Sequence, residues 1–171
     1  MKRFLSAFLI LFLLASTSAF ASIIIQETDQ ELIGIYSGVY DNNNSGYTGA
    51  GFINTDNQAG MYILYRYNAS YAGDYQIQVR FANGSSARDG DLYINDVFAG
   101  TLLMPGTGAW TSWEISNAVD VTLVQGVNSI KIVTLTENTQ GLANIDYLEI
   151  VPEPATMMLL GLGSLVLRRK R

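Results

Sequence analysis

A strict alternation of apolar and polar side chains between residues 74 and 81 is the feature that most limits the fold of this chain. The apolar residues fall at every second position: Tyr75, Ile77, Val79 and Phe81. A period of two is typical of an antiparallel strand with one buried face. Similar alternation recurs at residues 92–95, 119–123, 129–135 and 144–150, and residues 61–67 form a more continuous apolar run. Because Gly- and Asn-rich turns separate these segments and no long helical periodicity occurs, the sequence predicts an all-β fold, a two-sheet antiparallel β-sandwich.

The N-terminus has the three parts of a secretory signal peptide. Lys2 and Arg3 supply the positive charge, residues 4–14 form the apolar region, and residues 19–21 (Ala-Phe-Ala) match a small-residue cleavage site. The apolar region is shorter than the roughly 20 residues that a membrane-spanning helix needs. We therefore expect residues 1–21 to be a signal peptide that a signal peptidase removes.

The C-terminal residues 151–171 combine Pro152-Glu153-Pro154 with an apolar segment at 157–167 and four cations at 168–171. Each buried Arg or Lys costs about 2.5–3.5 kcal/mol in a bilayer, so the tail should stop in a membrane with its cations on the cytoplasmic side. An ordinary C-terminal anchor is one interpretation. The complete pattern resembles the PEP-CTERM sorting signal of Gram-negative bacteria. This resemblance implies processing by an exosortase in an organism that makes extracellular polysaccharide.

Residues 22–150 are expected to form one domain, since about 130 residues is an ordinary domain size. The chain has no cysteine and no histidine, which excludes a Cys nucleophile, a thiolate zinc site and a Ser-His-Asp constellation. Within residues 22–150, four cationic side chains stand against fourteen carboxylates, so this segment has a net charge of −10, against −5 for the whole chain. Such an acidic domain should repel phosphate backbones, and nucleic acid is therefore not an expected partner.

Seven segments of the domain are similar, in order and spacing, to carbohydrate-binding modules of families 6 and 35. They are Glu27-Thr-Asp29, Ser45-Gly-Tyr-Thr-Gly-Ala-Gly-Phe52, Ala72-Gly-Asp-Tyr-Gln-Ile-Gln-Val-Arg-Phe-Ala-Asn-Gly84, Asp91-Leu-Tyr-Ile-Asn-Asp96, Pro105-Gly-Thr-Gly-Ala-Trp-Thr-Ser-Trp113, Val124-Gln-Gly-Val-Asn-Ser-Ile130 and Asn144-Ile-Asp-Tyr-Leu148. The resemblance implies a galactose-binding-like jelly-roll sandwich that binds sugar without catalysing a reaction. One departure is Asp29, which stands where the family usually has a second Glu.

Two acidic residues near the start of the domain suggest a cation site. Glu27 and Asp29 are two positions apart in the expected opening strand, so their side chains should project from one face. Paired carboxylates repel each other unless a cation lies between them, and Ca²⁺ prefers oxygen ligands. The resemblance implies a structural Ca²⁺ site formed by Glu27, Asp29 and Asp146, completed by backbone carbonyls. The alternative is that these carboxylates are solvated charges on a strand face.

The resemblance also implies a carbohydrate-binding site on the loops. Trp110 and Tyr47 would bracket a sugar ring, and Asn144 would donate hydrogen bonds to it. Aromatic faces suit sugars because a pyranose ring has an apolar C–H face. Asn83 and Arg88 are further candidates for this site.

Each of these aromatic and cationic residues also has a structural interpretation. In that interpretation, Trp110 and Tyr47 simply pack against each other without binding a sugar, and Arg88 pairs with Asp89 and Asp91. Trp113 enters a strand-like segment and is expected in the core.

Together these features predict an exported, non-catalytic carbohydrate-binding protein at the cell surface or in the extracellular matrix of a Gram-negative bacterium, transiently anchored in the inner membrane. Its expected partners are polysaccharide or glycan, with an exosortase, a signal peptidase and the membrane during processing. No catalytic residue is expected, because fourteen carboxylates always include pairs at glycosidase spacing and no motif marks an acid and a nucleophile. The alternatives are a structural matrix protein that keeps the sandwich without a sugar site and, third, a small glycan-active enzyme.

Overall fold

The computed structural model describes residues 21–135, 137 and 139–153. The predicted signal peptide, apart from Ala21, and the predicted tail beyond Glu153 lie outside the described residues. The described residues form β-strands joined by turns and loops and contain no helix, which confirms the predicted all-β class. It follows that this part of the chain has no helix long and apolar enough to cross a membrane.

The described residues form twelve strands. In chain order they are β1 (Ile23–Gln26), β2 (Leu32–Tyr36), β3 (Gly38–Asp41), β4 (Phe52–Thr55), β5 (Tyr62–Ala69), β6 (Gly73–Ala82), β7 (Gly90–Ile94), β8 (Val97–Leu102), β9 (Trp113–Ile115), β10 (Val119–Leu123), β11 (Gly126–Thr134) and β12 (Asn144–Pro152). The alternating segments of the sequence correspond to β6, β7, β10, β11 and β12.

The strands make two antiparallel sheets. The larger sheet has the order β10–β6–β12–β4–β3, with β1 also paired to β12 and β9 also paired to β6. The smaller sheet has the order β2–β5–β11–β7–β8. Two sheets that share one core form the predicted sandwich, so the fold prediction is confirmed.

The period-two alternation of β6 builds the core as predicted. The four apolar side chains of this strand, Tyr75, Ile77, Val79 and Phe81, are each at most 1% exposed. They belong to one buried cluster with side chains of the smaller sheet: Ile63, Tyr65, Leu92, Ile130 and Ile132. Burying one such aliphatic or aromatic side chain contributes about 1.5–3 kcal/mol, so the strand alternation dictates the packing of the two sheets.

β12 connects the two ends of the sandwich. It pairs with β6 from Asn144 opposite Ala82 to Pro152 opposite Tyr75. At its start lies the end formed by residues 56–61, 83–89, 103–112, 135, 137 and 139–143, which we call the loop end. The opposite end, where β12 finishes, we call the tail end. The strand continues two residues past the predicted domain boundary at residue 150.

The opening strand is shorter than predicted. β1 ends at Gln26, and the Asp29 amide donates to the Gln26 carbonyl at 3.2 Å in a turn. The prediction that Glu27 and Asp29 share a strand face is therefore wrong, because both residues follow the end of the strand. Glu27 is 1% exposed, whereas Asp29 is half-buried.

Candidate functional site

A depression of about 230 Å³ lies at the loop end of the sandwich. Its lining is almost entirely polar: Asn44, Asn54, Asn57, Arg88, Trp110 and Asn144. These residues come from β4, the start of β12 and four different loops, so only the folded chain brings them together. Asparagine side chains offer both donors and acceptors, and this lining can therefore hydrogen-bond a polyhydroxylated molecule.

Trp110 is the aromatic wall of the depression. It is half-buried, and the carbon of the Arg88 guanidinium lies 4.9 Å from its ring centroid. The ring packs closely against the backbone of Gly84, since a Cβ at that position would lie 2.5 Å from the Trp110 Cδ1. Because Gly84 has no side chain, the Trp110 indole can lie this close to the backbone. Of the two predicted sugar-stacking aromatics, Trp110 lies in the depression.

Among the described residues, Arg88 is the only cation that lines the depression. It is 8% exposed, and its guanidinium donates to the Ser85 Oγ at 3.0 Å, to the Asn57 Oδ1 at 3.0 Å and to the Gln140 carbonyl. All of these acceptors are neutral, and no carboxylate among the described residues forms an ion pair with Arg88. Burial lowers the pKa of this guanidinium. Arg88 is therefore a nearly buried positive charge without a counter-ion in the described part of the chain.

The carboxylates that follow Arg88 in sequence have other partners. Asp89 Oδ1 accepts from the Met104 amide at 2.7 Å, and Asp91 Oδ1 accepts from the Thr101 hydroxyl at 2.8 Å. The alternative in which these two residues pair with Arg88 is therefore not the arrangement that the structure adopts.

The two predicted asparagines differ in their surroundings. Asn144 is 4% exposed and lines the depression. Asn83 is fully buried, and its amide nitrogen donates to the Ser86 and Met104 carbonyls at 2.8 and 3.0 Å. Its Oδ1 accepts from the amide and the hydroxyl of Ser85. These bonds occupy the Asn83 side chain, so its position indicates a role in shaping the loop that carries Arg88.

Tyr47 belongs to a different aromatic group. Its ring centroid lies 5.9 Å from that of Phe52, which in turn lies 5.4 Å from that of Trp113. Tyr47 does not line the depression. The structure thus separates the predicted Tyr47–Trp110 pair, because Tyr47 packs onto the neighbouring aromatic group.

The expectation that Trp113 lies in the core is wrong. Trp113 begins β9, which pairs with β6 of the larger sheet, and its side chain is half-buried. The indole donates to the Ser45 carbonyl at 2.9 Å, and the Arg80 guanidinium carbon lies 5.5 Å from its ring centroid. Trp113 therefore supports the loop of residues 42–51.

Two buried carboxylates fasten this same loop. Asp146 is 0% exposed, accepts from the Thr48 amide at 2.9 Å and forms an ion pair with Arg80. Arg80 also donates to the Gly46 carbonyl at 3.1 Å. Glu27 Oε1 accepts from the amides of Ala50 and Gly51 at 2.7 and 2.8 Å. Since Asn44 in this loop lines the depression, these contacts help to set the shape of the site.

The predicted calcium ligands do not meet in one cluster. In the described part of the chain, no three acidic side chains are grouped so that they could hold a metal ion. Asp29 Oδ2 accepts from the Gln26 amide at 2.7 Å, and Asp146 is occupied by Arg80 and Thr48. Of the predicted trio, Glu27 has a buried carboxylate oxygen that lacks a hydrogen-bond partner.

Two buried oxygens next to this loop fit a cation. Glu27 Oε2 and Gln26 Oε1 are buried without a hydrogen-bond partner. Both lie near Gly49, whose Cβ position would be 2.9 Å from the Gln26 oxygen and 3.2 Å from the Glu27 oxygen. Gly49 also has a φ of +70°, which favours glycine. Glu27 and Gln26 are therefore the residues that could hold Ca²⁺.

Several site residues were not found from the sequence. Asn44, Asn54 and Asn57 line the depression, but polar residues in Asn-rich segments look the same whether they bind a ligand or face water. Asn44 does lie in a Gly- and Asn-rich stretch, and this composition is the sequence feature that could have indicated a binding loop. Arg80 and Gly84 gave none, because their contacts join segments that are distant in sequence.

Comparison with known proteins identifies two parts of the chain. The family model of carbohydrate binding module (family 6) matches residues 31–152, and that of the PEP-CTERM protein-sorting motif matches residues 151–171. Endo-1,4-beta-xylanase B of Cellvibrio japonicus is 42% identical over 117 residues, which are 67% of this chain and 19% of that protein. The chain thus spans about a fifth of the length of this enzyme.

Two solved structures share the fold over most of the domain. CBM35 from Cellvibrio japonicus Abf62 has a TM-score of 0.71 and 36% identity, covering 77% of this chain and 93% of that chain. Xyl-CBM35 in complex with a glucuronic acid containing disaccharide has a TM-score of 0.69 and 38% identity, covering 75% and 92%. Since the family model also covers more than half of the sequence, this chain belongs to the carbohydrate-binding modules of family 6, and its module is followed by a PEP-CTERM protein-sorting motif.

Proposed function

We propose that the depression binds a glycan through a sugar that carries a carboxylate. The observation that carries this proposal is Arg88, a nearly buried guanidinium with only neutral partners among the described residues. A buried charge is stabilised by an opposite charge, and a guanidinium binds a carboxylate through charge-assisted hydrogen bonds. The domain around it has a net charge of −10, so a positive charge inside the depression would favour an anionic ligand there.

The other lining residues suit a sugar ring. Trp110 offers an aromatic wall, and Asn54, Asn57 and Asn144 offer amide groups that can bond to hydroxyls. The match to a module solved in complex with a glucuronic acid containing disaccharide supports an acidic sugar as the ligand. A site of this size holds few ligand atoms, so we expect weak affinity at each site.

The proposed protein is an exported, non-catalytic binding module of the extracellular polysaccharide layer. The sorting motif supports export and processing by an exosortase, and the predicted signal peptide supports removal by a signal peptidase. The apolar segment at 157–167 with its terminal cations supports a transient anchor in the inner membrane. The region of the xylanase that matches this chain is 19% of that enzyme. A match to so small a part of an enzyme supports a binding role for this chain and not a catalytic one.

We also propose that Ca²⁺ binds to Glu27 Oε2 and Gln26 Oε1. Glu27 is a buried carboxylate without a cationic partner among the described residues, and Ca²⁺ would supply that charge. Because Glu27 also holds the amides of Ala50 and Gly51, a bound ion would stabilise the loop of residues 42–51.

Titration with glucuronic acid and with glucose, followed by calorimetry, tests the sugar proposal. We expect tighter binding of glucuronic acid, by roughly tenfold, since a hydrogen bond to a charged group contributes about 1.5–3 kcal/mol. Added salt should weaken that preference, and Trp110→Ala should reduce binding of both sugars. Equal affinity for the two sugars would contradict the proposal. No affinity for either, with no effect of Trp110→Ala, would favour the alternative of a structural matrix protein.

A further inference from the structure

The candidate sugar site and the sorting motif lie at opposite ends of one strand. Asn144 is the first residue of β12 and lines the depression, whereas Pro152 is the last residue and begins the Pro-Glu-Pro motif. A strand rises about 3.4 Å per residue, so these two residues are about 27 Å apart. A molecule held by its tail therefore presents its depression at the far end.

The motif begins inside the folded sheet. Pro152 is buried and lies opposite Tyr75 in the register of β12 and β6. The Glu153 amide donates to the Asp74 carbonyl at 3.0 Å. The two family matches also overlap at residues 151–152. Hence the described chain has no linker between the binding module and the start of its sorting motif.

Other segments of the tail end surround this exit point. β1 pairs with β12 so that Ile23 lies opposite Ile150, which brings the start of the domain to the same end. The β5–β6 and β10–β11 turns meet there, since Gln125 donates to the Ser70 carbonyl at 3.2 Å. Three residues separate Glu153 from the apolar segment at 157–167, and three extended residues reach about 10 Å.

From this arrangement we infer that the module, while its tail is in a membrane, stands with the tail end against the lipid surface and the depression facing outward. The inference rests on the proposed membrane attachment of the tail and not on sugar binding. Its consequence is directional: the site is open to polysaccharide outside the membrane, and a bound glycan is held about a strand length, roughly 27 Å, from the lipid surface.

Two exposed alanines allow a direct test of the orientation. Ala72 lies in the β5–β6 turn at the tail end, and Ala87 lies in the β6–β7 loop at the loop end. The chain has no cysteine, so Ala72→Cys and Ala87→Cys each create a single labelling position. The full chain with its tail is inserted into phosphatidylethanolamine–phosphatidylglycerol vesicles that contain an acceptor lipid, and energy transfer from a donor dye is measured.

We expect several-fold more efficient energy transfer from position 72 than from position 87, because the two ends of the strand differ by about 27 Å in height. A flexible Gly-Ser linker inserted between Glu153 and Pro154 is the control and should bring the two efficiencies together. Equal or reversed efficiencies in the unmodified chain would overturn the inference. A chain that does not associate with the vesicles would also overturn it, while sugar titration without lipid would test the sugar proposal separately.

Discussion

The Arg88 guanidinium carbon lies 4.9 Å from the ring centroid of Trp110, and the Cβ position of Gly84 lies 2.5 Å from the Cδ1 of the same ring. The indole thus lies against both a cation and a glycine backbone. This arrangement gives the depression an aromatic wall with a positive charge beside it.

Gly84→Ala should weaken sugar binding. The added Cβ would lie 2.5 Å from the Trp110 Cδ1, which is closer than such atoms approach, so the indole must move. We expect a loss of binding of about tenfold, since a displaced aromatic contact is worth about 1 kcal/mol or slightly more. Calorimetric titration measures it.

Gly34→Ala is the matched control for that substitution. No atom lies within 4 Å of the Cβ position at Gly34, and this residue is in β2 of the smaller sheet. Binding should stay unchanged in this variant. Equal binding by the Gly84 variant and the Gly34 variant would mean that the position of Trp110 does not matter to the site.

Arg80→Gln should destabilise the domain. Asp146 is fully buried and loses its cationic partner, and the Gly46 carbonyl loses a hydrogen bond. Removing one partner of a buried ion pair costs about 3–5 kcal/mol, and the 21% exposure of the Arg80 side chain should bring the loss to about 2–3 kcal/mol. Urea unfolding gives the free energy of unfolding.

Lys131→Gln provides the comparison for Arg80→Gln. Lys131 pairs with Asp96, which is 83% exposed, and an exposed pair contributes about 0–1 kcal/mol. If both variants lose the same small amount of stability, the Arg80–Asp146 pair does not fasten the loop of residues 42–51.

Removal of Ca²⁺ should lower the melting temperature. An ion that binds only the folded chain stabilises it by about 2.7 kcal/mol at a free concentration of 100 times its Kd. Glu27→Gln should abolish the effect of EGTA, because the amide keeps an acceptor oxygen for the loop but loses the charge. Asp29→Asn should keep the effect, since Asp29 bonds to the Gln26 amide. The same wild-type melting temperature with Ca²⁺ and with EGTA would contradict the proposed Ca²⁺ site.

The sequence predicts those elements whose signal is local. The alternation of β6 specifies a half-buried strand by itself, because every second side chain must face the core. The chain termini carry equally local patterns of charge and hydrophobicity. For these reasons the sandwich and the sorting motif could be predicted without a structure.

The candidate site depends on contacts between distant segments, and there the sequence is less informative. Asn83 and Asn144 are both asparagines close to strand ends, yet only the fold shows that loop carbonyls occupy Asn83. Tyr47 and Trp110 are both aromatics in Gly-rich loops, but Tyr47 packs against Phe52. The turn after Gln26 separates Glu27 from Asp29. No residue pattern in the sequence indicates that β1 ends at Gln26.

The most direct test of the central claim is the ratio of glucuronic acid affinity to glucose affinity in Arg88→Gln, with Arg66→Gln as the control. Arg66 is an exposed arginine of β5, so its loss removes the same charge outside the depression. The expected result is a drop of about tenfold in that ratio for the Arg88 variant, to a value near one, because the variant loses a charged hydrogen bond worth about 1.5 kcal/mol or more. Glucose binding serves as the check that the site remains folded. A ratio that is the same in wild type, Arg88→Gln and Arg66→Gln would contradict the proposal that this site recognises a carboxylate-bearing sugar.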